Sequence, residues 1–412
     1  MKFHQISIIE IKSILGLSLI FSLRIFGIFI ILPTLSTFGM MLNGANEFLI
    51  GLAIGIYGVT QAIFQIPWGI ASDKIGRKPI IISNLIIFSV GSIIAAATNN
   101  IWNVIIGRAI QGIGGVSSPV MALLCDLTQK QNRTKAMSFL GAIIGIVFAI
   151  SLILGPYLAH KIGINGLFWI VTIIALLNIL FTLFFICHLE KNCGVNTNSY
   201  IVTKNSIKKI LYNKELIKIN VNAFFLHTIL ILNFISLPIQ IISMGILNKN
   251  QWKIYLIIMI ISFMVVIPFL LHIEKKQHTQ KNIYILLLIT IIFFSEILLL
   301  NTTTQIYKLL FGMQLFFIGF SIMEAILPSM LSKISPCGYQ GTSMGIYSTI
   351  QFLGMACGSL SGGYLLVTLQ NNQLIFLAGS ILSILWLLII LLINQKTYKK
   401  QPKENNQISQ PS

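Results

Sequence analysis

Charge is what this sequence has least of: Asp, Glu, Lys and Arg together make up 9% of its 412 residues, against roughly a quarter in soluble domains. A chain so poor in charge is not built to face water on all sides. Acidic residues are scarcer still, 10 against 28 Lys and Arg. HExxH and paired carboxylates are absent and no GxSxG nucleophile is expected, so neither an enzyme nor a cofactor is expected. The five cysteines (Cys125, Cys187, Cys193, Cys337 and Cys357) form no CxxC pair. Most lie in or beside apolar runs, where the thiol acts as a small hydrophobe, so no disulfide and no metal site is expected. The first apolar run is too long for a signal peptide and lacks its small-residue cleavage site, so it reads as a retained helix.

Apolar residues are abundant, at 56% of the chain, with a mean hydropathy of +0.88. They fall into twelve runs, at 14–37, 48–71, 80–98, 101–124, 136–159, 166–187, 215–243, 252–272, 282–300, 305–331, 341–368 and 373–394. A helix that crosses the bilayer needs about 20 mostly apolar residues. Stretches such as IIFSVGSIIAAA and ILSILWLLIILLI are apolar all round, whereas barrel strands are short and alternate. The expected fold is an all-α membrane protein with twelve transmembrane helices.

Positive charge sets the orientation, because Lys and Arg collect on the cytoplasmic side. Of the 28 Lys and Arg, 22 fall at the two ends or in loops after even-numbered spans, and four (Lys161, Lys249, Lys253, Lys308) fall on the opposite side. Arg24 and Arg108 lie inside spans. Both termini are therefore expected in the cytoplasm of a bacterial cell, with the chain passing many times through the inner membrane. The net charge of +18 is spread over membrane-flanking loops without a groove-binding motif, so nucleic acid is not an expected partner. The lipid bilayer is, and a monomer is expected.

The chain also reads as a repeat. An offset of 207 residues places Met137 on Met344, and Gly155, Tyr157 and Leu158 on Gly362, Tyr364 and Leu365. The expected units are a bundle at 1–187, a cytoplasmic linker at 188–214, a second bundle at 215–394 and a disordered cytoplasmic tail at 395–412. Parallel six-helix repeats with a site between them near the midplane suit alternating access in secondary transporters. Gly354, Gly358 and Gly362, and likewise Gly51 and Gly55, recur at four-residue spacing. Such stripes read either as tight helix packing or as a sliding interface between moving parts.

Between the second and third spans stands GIASDKIGRKPI, with Gly69, Asp73, Lys74, Gly76, Arg77 and Lys78. A carboxylate at a helix end, a glycine turn and two cations can latch neighbouring helices yet break and re-form in water. The fourth span carries IIGRAIQGIGG, with Arg108, Gln111, Gly112 and Gly114, and the fifth ends in GPYLA, with Gly155 and Pro156. At 1.5 Å per residue, Arg108 and Asp126 on one continuous helix would lie about 27 Å apart, at opposite membrane depths.

These elements resemble the GxxxDRxGRR and RxxQGxG motifs of the major facilitator superfamily, and GPYLA its antiporter signature without the following glycine pair. Together with SLRIFGIFIILP, MALLCDLTQKQNRTKAM, MEAILPSML and GTSMGIYSTIQFLG, they resemble the twelve-helix drug:proton antiporter group over residues 14–394. That group includes a member with an additional C-terminal soluble domain, for which no counterpart is expected here. The resemblance implies two pseudo-symmetric six-helix bundles that rock against each other to export a small, hydrophobic or drug-like compound in exchange for protons. A nutrient symporter or facilitator is the alternative. It also implies that Asp73 and Arg77 latch the loop after the second span to the eleventh span on the cytoplasmic side, joined by Asp126.

An ionisable group inside a span is costly and needs a partner, water or a function. Glu324 is the preferred proton carrier, the alternative being a structural hydrogen bond or a loop lysine. His227 reads as a proton relay or a hydrogen-bonded interior residue. Arg108 reads as an attractor of anionic groups or as a structural contact to the first span, and Arg24 as interior, for pairing or substrate contact. Glu296, near the outer boundary, is expected to snorkel to water. Phe26, Phe29, Tyr57, Phe64, Met121, Phe148, Phe234, Met323, Tyr347 and Phe352 are candidates to line an apolar cavity.

Overall fold

The computed structural model describes residues 7–129, 132–193, 213–274, 278–302, 305–335, 340–369 and 372–398. These are helical almost throughout: α1 (Ile8–Phe29), α2 (Leu32–Phe38), α3 (Glu47–Ile75), α4 (Arg77–Ala96), α5 (Ile101–Ile113), α6 (Ser117–Leu127), α7 (Arg133–Cys193), α8 (Lys214–Ser243), α9 (Gln251–Glu274), α10 (His278–Leu300), α11 (Ile306–Ile334), α12 (Gln340–Leu369) and α13 (Gln373–Tyr398). Most of the expected linker and tail lies outside the described residues.

Among the described residues, 11 segments are long and apolar enough to cross a membrane. One of them, Lys135–Phe185, is 51 residues long. A straight helix of that length would reach about 77 Å, more than twice the roughly 30 Å hydrocarbon core. The chain turns back at Gly163, whose φ of 71° places it in the left-handed region that glycine tolerates. Before the turn, Gly155 packs on the Ile30 carbonyl at the end of α1; after it, Phe185 packs on Gly16 near the start of α1. The segment therefore crosses twice, and the total is the expected twelve.

Two spans are not single helices. The first breaks between α1 and α2, where Pro33 enters the opening turn of α2 and has no N–H to continue the ladder. The fourth breaks at Gly114–Val116, which corrects the expectation of one helix from Arg108 to Asp126. Gly114 allows it: a Cβ there would overlap the Asn84 carbonyl and Phe88 of α4. In hydrocarbon every freed carbonyl needs a donor, and three side chains supply them. Trp68 Nε1 donates to the Ile113 carbonyl at 2.6 Å, Arg24 Nε to Gly114 at 3.1 Å and Asn84 Nδ2 to Gly115 at 2.6 Å.

Small residues set the contact between the two sequence halves. Gly51 of α3 lies on Gly363 of α12, Gly55 on Ser359 and Gly58 on the Phe352 carbonyl, while Ser359 Oγ donates to the Gly51 carbonyl. The expected stripe Gly354, Gly358 and Gly362 instead faces α8, with Gly354 and Gly358 against the Phe224 and Thr228 carbonyls. On the lysine-poor side the halves also touch through Ser36 Oγ, which donates to the Phe234 carbonyl at 3.1 Å. Tyr157 and Trp252 meet there edge to face at 5.6 Å. Nearer the lysine-rich side a cavity lies between them, and beside it α6 still meets the opening turns of α12, where Gly345 lies against Ser118.

Candidate functional site: a cavity, a rim cluster and a buried scaffold

Two contiguous cavities, of about 60 and 290 Å³, share Phe29, Gly141, Ile144 and Glu324. The larger runs between α7, α9 and α11 to Lys281 near the lysine-rich end of α10. The smaller displays the repeat directly. On α7 it is lined by Met137, Leu140, Gly141 and Ile144, and on α12 by Met344, Tyr347, Ser348 and Gln351. Each pair is separated by the same 207 residues, as are Ser117 and Glu324, and Met121 and Pro328, which also line it. Of the aromatic and methionine candidates, Phe29, Met121, Tyr347 and Phe352 line the smaller cavity, and Phe29 and Phe148 the larger. Phe234 packs tilted against Phe148, with ring centres 6.1 Å apart, whereas Phe26, Tyr57, Phe64 and Met323 line neither cavity.

Glu324 and His227, singled out separately from the sequence, meet at this cavity. Glu324 Oε2 is 3.5 Å from His227 Nε2. Gln351 Nε2 lies 3.4 Å from Glu324 Oε1 and 3.2 Å from His227 Nε2. His227 Nδ1 is 3.0 Å from the Ala223 carbonyl, so Nδ1 carries the hydrogen and the neutral ring turns a lone pair on Nε2 toward the carboxyl. One proton fits between the two groups, held as an acid facing an imidazole or as a carboxylate facing an imidazolium. Among the described residues no Lys or Arg pairs with Glu324. Gln351 was not anticipated; the signal lay in the repeat, where glutamine stands at the position that holds Ile144 in the first half.

On the lysine-rich rim, Asp73, Arg77 and Asp126 also meet. Arg77 pairs with Asp73 one helical turn earlier, its Nε reaches Asp126 Oδ2 at 3.1 Å, and its NH1 donates to Ser72 Oγ at 2.7 Å. Gly76, with φ 111°, makes the turn between α3 and α4 that brings Arg77 back over α3. Gly69 closes the approach to α6, since a Cβ there would overlap Ser118 Oγ. Lys78 follows in the first turn of α4. These three acceptors, Asp73, Asp126 and Ser72, belong to the first half. Of the expected counterpart at the start of the eleventh span, residues 336–339 lie outside the described residues.

The interior arginines face away from the cavity. Arg24 is 1% and Arg108 0% exposed, and both guanidinium groups flank the Tyr57 ring, at 6.0 and 4.5 Å from its centre. Arg24 donates to Gln61 Oε1 at 2.7 Å as well as to Gly114. Arg108 donates to the Ala53 carbonyl at 3.3 Å and to Gln111 Oε1 at 2.9 Å, and Gln111 passes a hydrogen bond on to Ser92 at 2.8 Å. Arg108 thus ties the fourth span to the second, not to the first. Gly155, followed by Pro156, presses α7 onto the break between α1 and α2.

Two further expectations change. Glu296 does not snorkel: it is 1% exposed, accepts from Asn233 Nδ2 at 2.7 Å and abuts Gly379, which has no room for a Cβ. Gly341, Ser343 and Gly345 do have GxSxG spacing, against the expectation of none. They lie in the opening turns of α12 with Ser343 1% exposed, not on the strand-to-helix elbow that makes such a serine a nucleophile.

Known proteins resemble the chain over nearly all its length. It is 45% identical to the inner membrane transport protein YajR of Escherichia coli (strain K12) over 389 residues, covering 94% of this chain and 85% of that protein. It is 35% identical to the tetracycline resistance protein, class H, of Pasteurella multocida over 161 residues, covering 37% of this chain and 38% of that one. The crystal structure of the human organic anion transporter MFSD10 (TETRAN) superimposes with a TM-score of 0.71 at 17% identity, covering 92% of this chain and 99% of that one; at that identity the likeness concerns the fold. Residues 17–359 match the Major Facilitator Superfamily. With twelve crossings, a repeat that lines one cavity from both halves and a relative 45% identical over most of both chains, this protein belongs to the Major Facilitator Superfamily of membrane transporters.

Proposed function

We propose that this protein exports a small hydrophobic compound from the cytoplasm of a bacterial cell in exchange for protons, as a monomer in the inner membrane with both ends inside. The observation that carries the reading is Glu324, which faces an otherwise mostly apolar cavity with His227 and Gln351 as its polar partners. A proton loaded there neutralises the carboxylate before it is enclosed between the halves, which removes the largest cost of moving it through a dry state. A lipophilic cation competes with that proton for the same carboxylate, which is the condition for exchange. The similarity to a tetracycline resistance protein supports export, and the name of the relative YajR supports the inner-membrane location.

Rocking of residues 1–187 against 215–394 would expose the cavity to each side in turn. Asp73, Arg77 and Asp126 would hold the cytoplasmic mouth shut through the start of α12 and release it on return. In the present arrangement the halves meet on the lysine-poor side and again where α6 faces the opening turns of α12, and among the described residues the acceptors of Arg77 belong to the first half.

The test is flux in proteoliposomes under an imposed pH gradient across a panel of lipophilic cations and nutrients. Proton release coupled to uptake of a lipophilic cation supports the reading. Alkalinisation driven by a sugar or amino acid on the uptake side replaces it with symport. Asp73→Asn is expected to lower flux with membrane insertion intact, and full flux in that variant removes the latch from the mechanism.

A further inference from the structure

Glu10 stands outside the cavity and makes no ion pair with the rim cluster, yet it is 4% exposed in the first turn of α1. Its Oε2 accepts from the Ser7 N–H at 3.1 Å, and Ser7 Oγ accepts from the Glu10 N–H at 3.1 Å in return. That exchange is a capping box and accounts for the start of the helix. It does not account for the other two donors. The Gln129 N–H reaches Glu10 Oε1 at 2.7 Å and Asn132 Nδ2 reaches Oε2 at 3.2 Å. Both come from the connection between α6 and α7, about 120 positions away in the chain.

That connection begins just past Asp126. Arg133 Nε at the start of α7 donates back to the Thr128 carbonyl at 3.2 Å. The pair of Asp126 with Arg77 is open to water, with the Asp126 side chain 39% exposed, and an ion pair so exposed does little to order a helix end by itself. Hydrogen bonds from a backbone N–H and an amide to a buried carboxylate are stronger and directional.

We infer that Glu10 is a positioning residue for the rim cluster: by gripping the Gln129 N–H and the Asn132 amide, it fixes the end of α6 at the angle from which Asp126 reaches Arg77. The first helix is thereby coupled to the gate without touching it. The inference rests on the gating role proposed above for Asp126.

The test reads the gate directly and needs no substrate. In a background with the native cysteines replaced, spin labels at the exposed positions Lys135 on α7 and Lys333 on α11 report the width of the lysine-rich mouth by electron–electron distance measurement in lipid nanodiscs. Glu10→Gln and Asp126→Asn are each expected to shift the distance distribution toward the open population. The double variant is expected to shift it no further than Asp126→Asn alone, and Glu10→Asp to restore part of the closed population. Independent, additive shifts would show that Glu10 supports the fold by another route and overturn the inference. So would a wild-type distribution in Glu10→Gln when Asp126→Asn does shift. If Asp126→Asn shifts nothing, the gate itself fails, a result separable from failure of Glu10 alone. Should Glu10→Gln not fold, Asn132→Leu removes one donor, keeps the carboxylate and is read in the same way.

Discussion

The two halves of the molecule place the same helices in the same relation and use polar residues in opposite ways. At matched positions around the smaller cavity the first half offers Leu140, Gly141, Ile144 and Ser117, and the second Tyr347, Ser348, Gln351 and Glu324. The first half has its polar chemistry elsewhere: Arg24 and Arg108 turn inward to carbonyls and glutamines, and Asp73, Arg77 and Asp126 sit on the rim. A duplicated backbone therefore fixes where side chains point but not what they are. On the function proposed above, one half is scaffold and gate, and the other carries the proton site.

The division is broken most directly at Glu324. Glu324→Gln keeps the shape and removes the exchangeable proton, and pH-driven flux in proteoliposomes is expected to fall to background with thermal stability retained. Undiminished coupled flux would move the proton site away from Glu324.

Gly358→Leu tests whether the second half tolerates movement between its own helices. The side chain would overlap the Thr228 carbonyl of α8, and overpacking of this kind costs about 1–3 kcal/mol or more. A clear drop in the melting temperature of the purified protein is expected. An unchanged value would mean that α8 and α12 slide freely.

Arg24→Met sharpens the claim that the interior arginines are scaffold. It leaves the Gly114 carbonyl without its donor, while Gln61 Oε1 keeps the Tyr57 hydroxyl, and an unsatisfied buried acceptor costs about 1–3 kcal/mol. Reduced stability is expected, with the substrate preference of the surviving protein unchanged. Altered preference at full stability would make Arg24 part of the binding site.

Asp126→Asn should show the reverse pattern: stability changed by less than about 1 kcal/mol, as for an exposed ion pair, with flux reduced severalfold. The smallest effect is expected for Glu296→Gln, whose amide oxygen still accepts from Asn233. Unchanged coupled flux would leave Glu324 as the proton site, and lost coupling would add a second one.

Much of the fold could be read before any contact was known. The rim cluster was partly legible because Asp73 and Arg77 are four residues apart across a glycine turn, so local geometry alone joins them. The break in the fourth span was not. IIGRAIQGIGGVSSPV is apolar enough to pass as one helix, and what ends the helix at Gly114 is the backbone of Asn84 and the arrival of three distant donors. Glu296 misled for a related reason: its depth is set by sequence, but whether it turns to water or to Asn233 depends on the neighbouring helix.

By itself the sequence determined the number of crossings and the repeat, because hydrocarbon thickness demands a long apolar run for each crossing whatever its neighbours. Only the tertiary structure decided the meaning of the isolated charges. Arg24 and Glu324 look alike in sequence, each a single ion in an apolar run. One bonds to a carbonyl 90 residues away in a helix break and the other faces a cavity beside His227. Helix packing makes that difference, because in a low-dielectric interior the role of a charge is set by the groups brought against it.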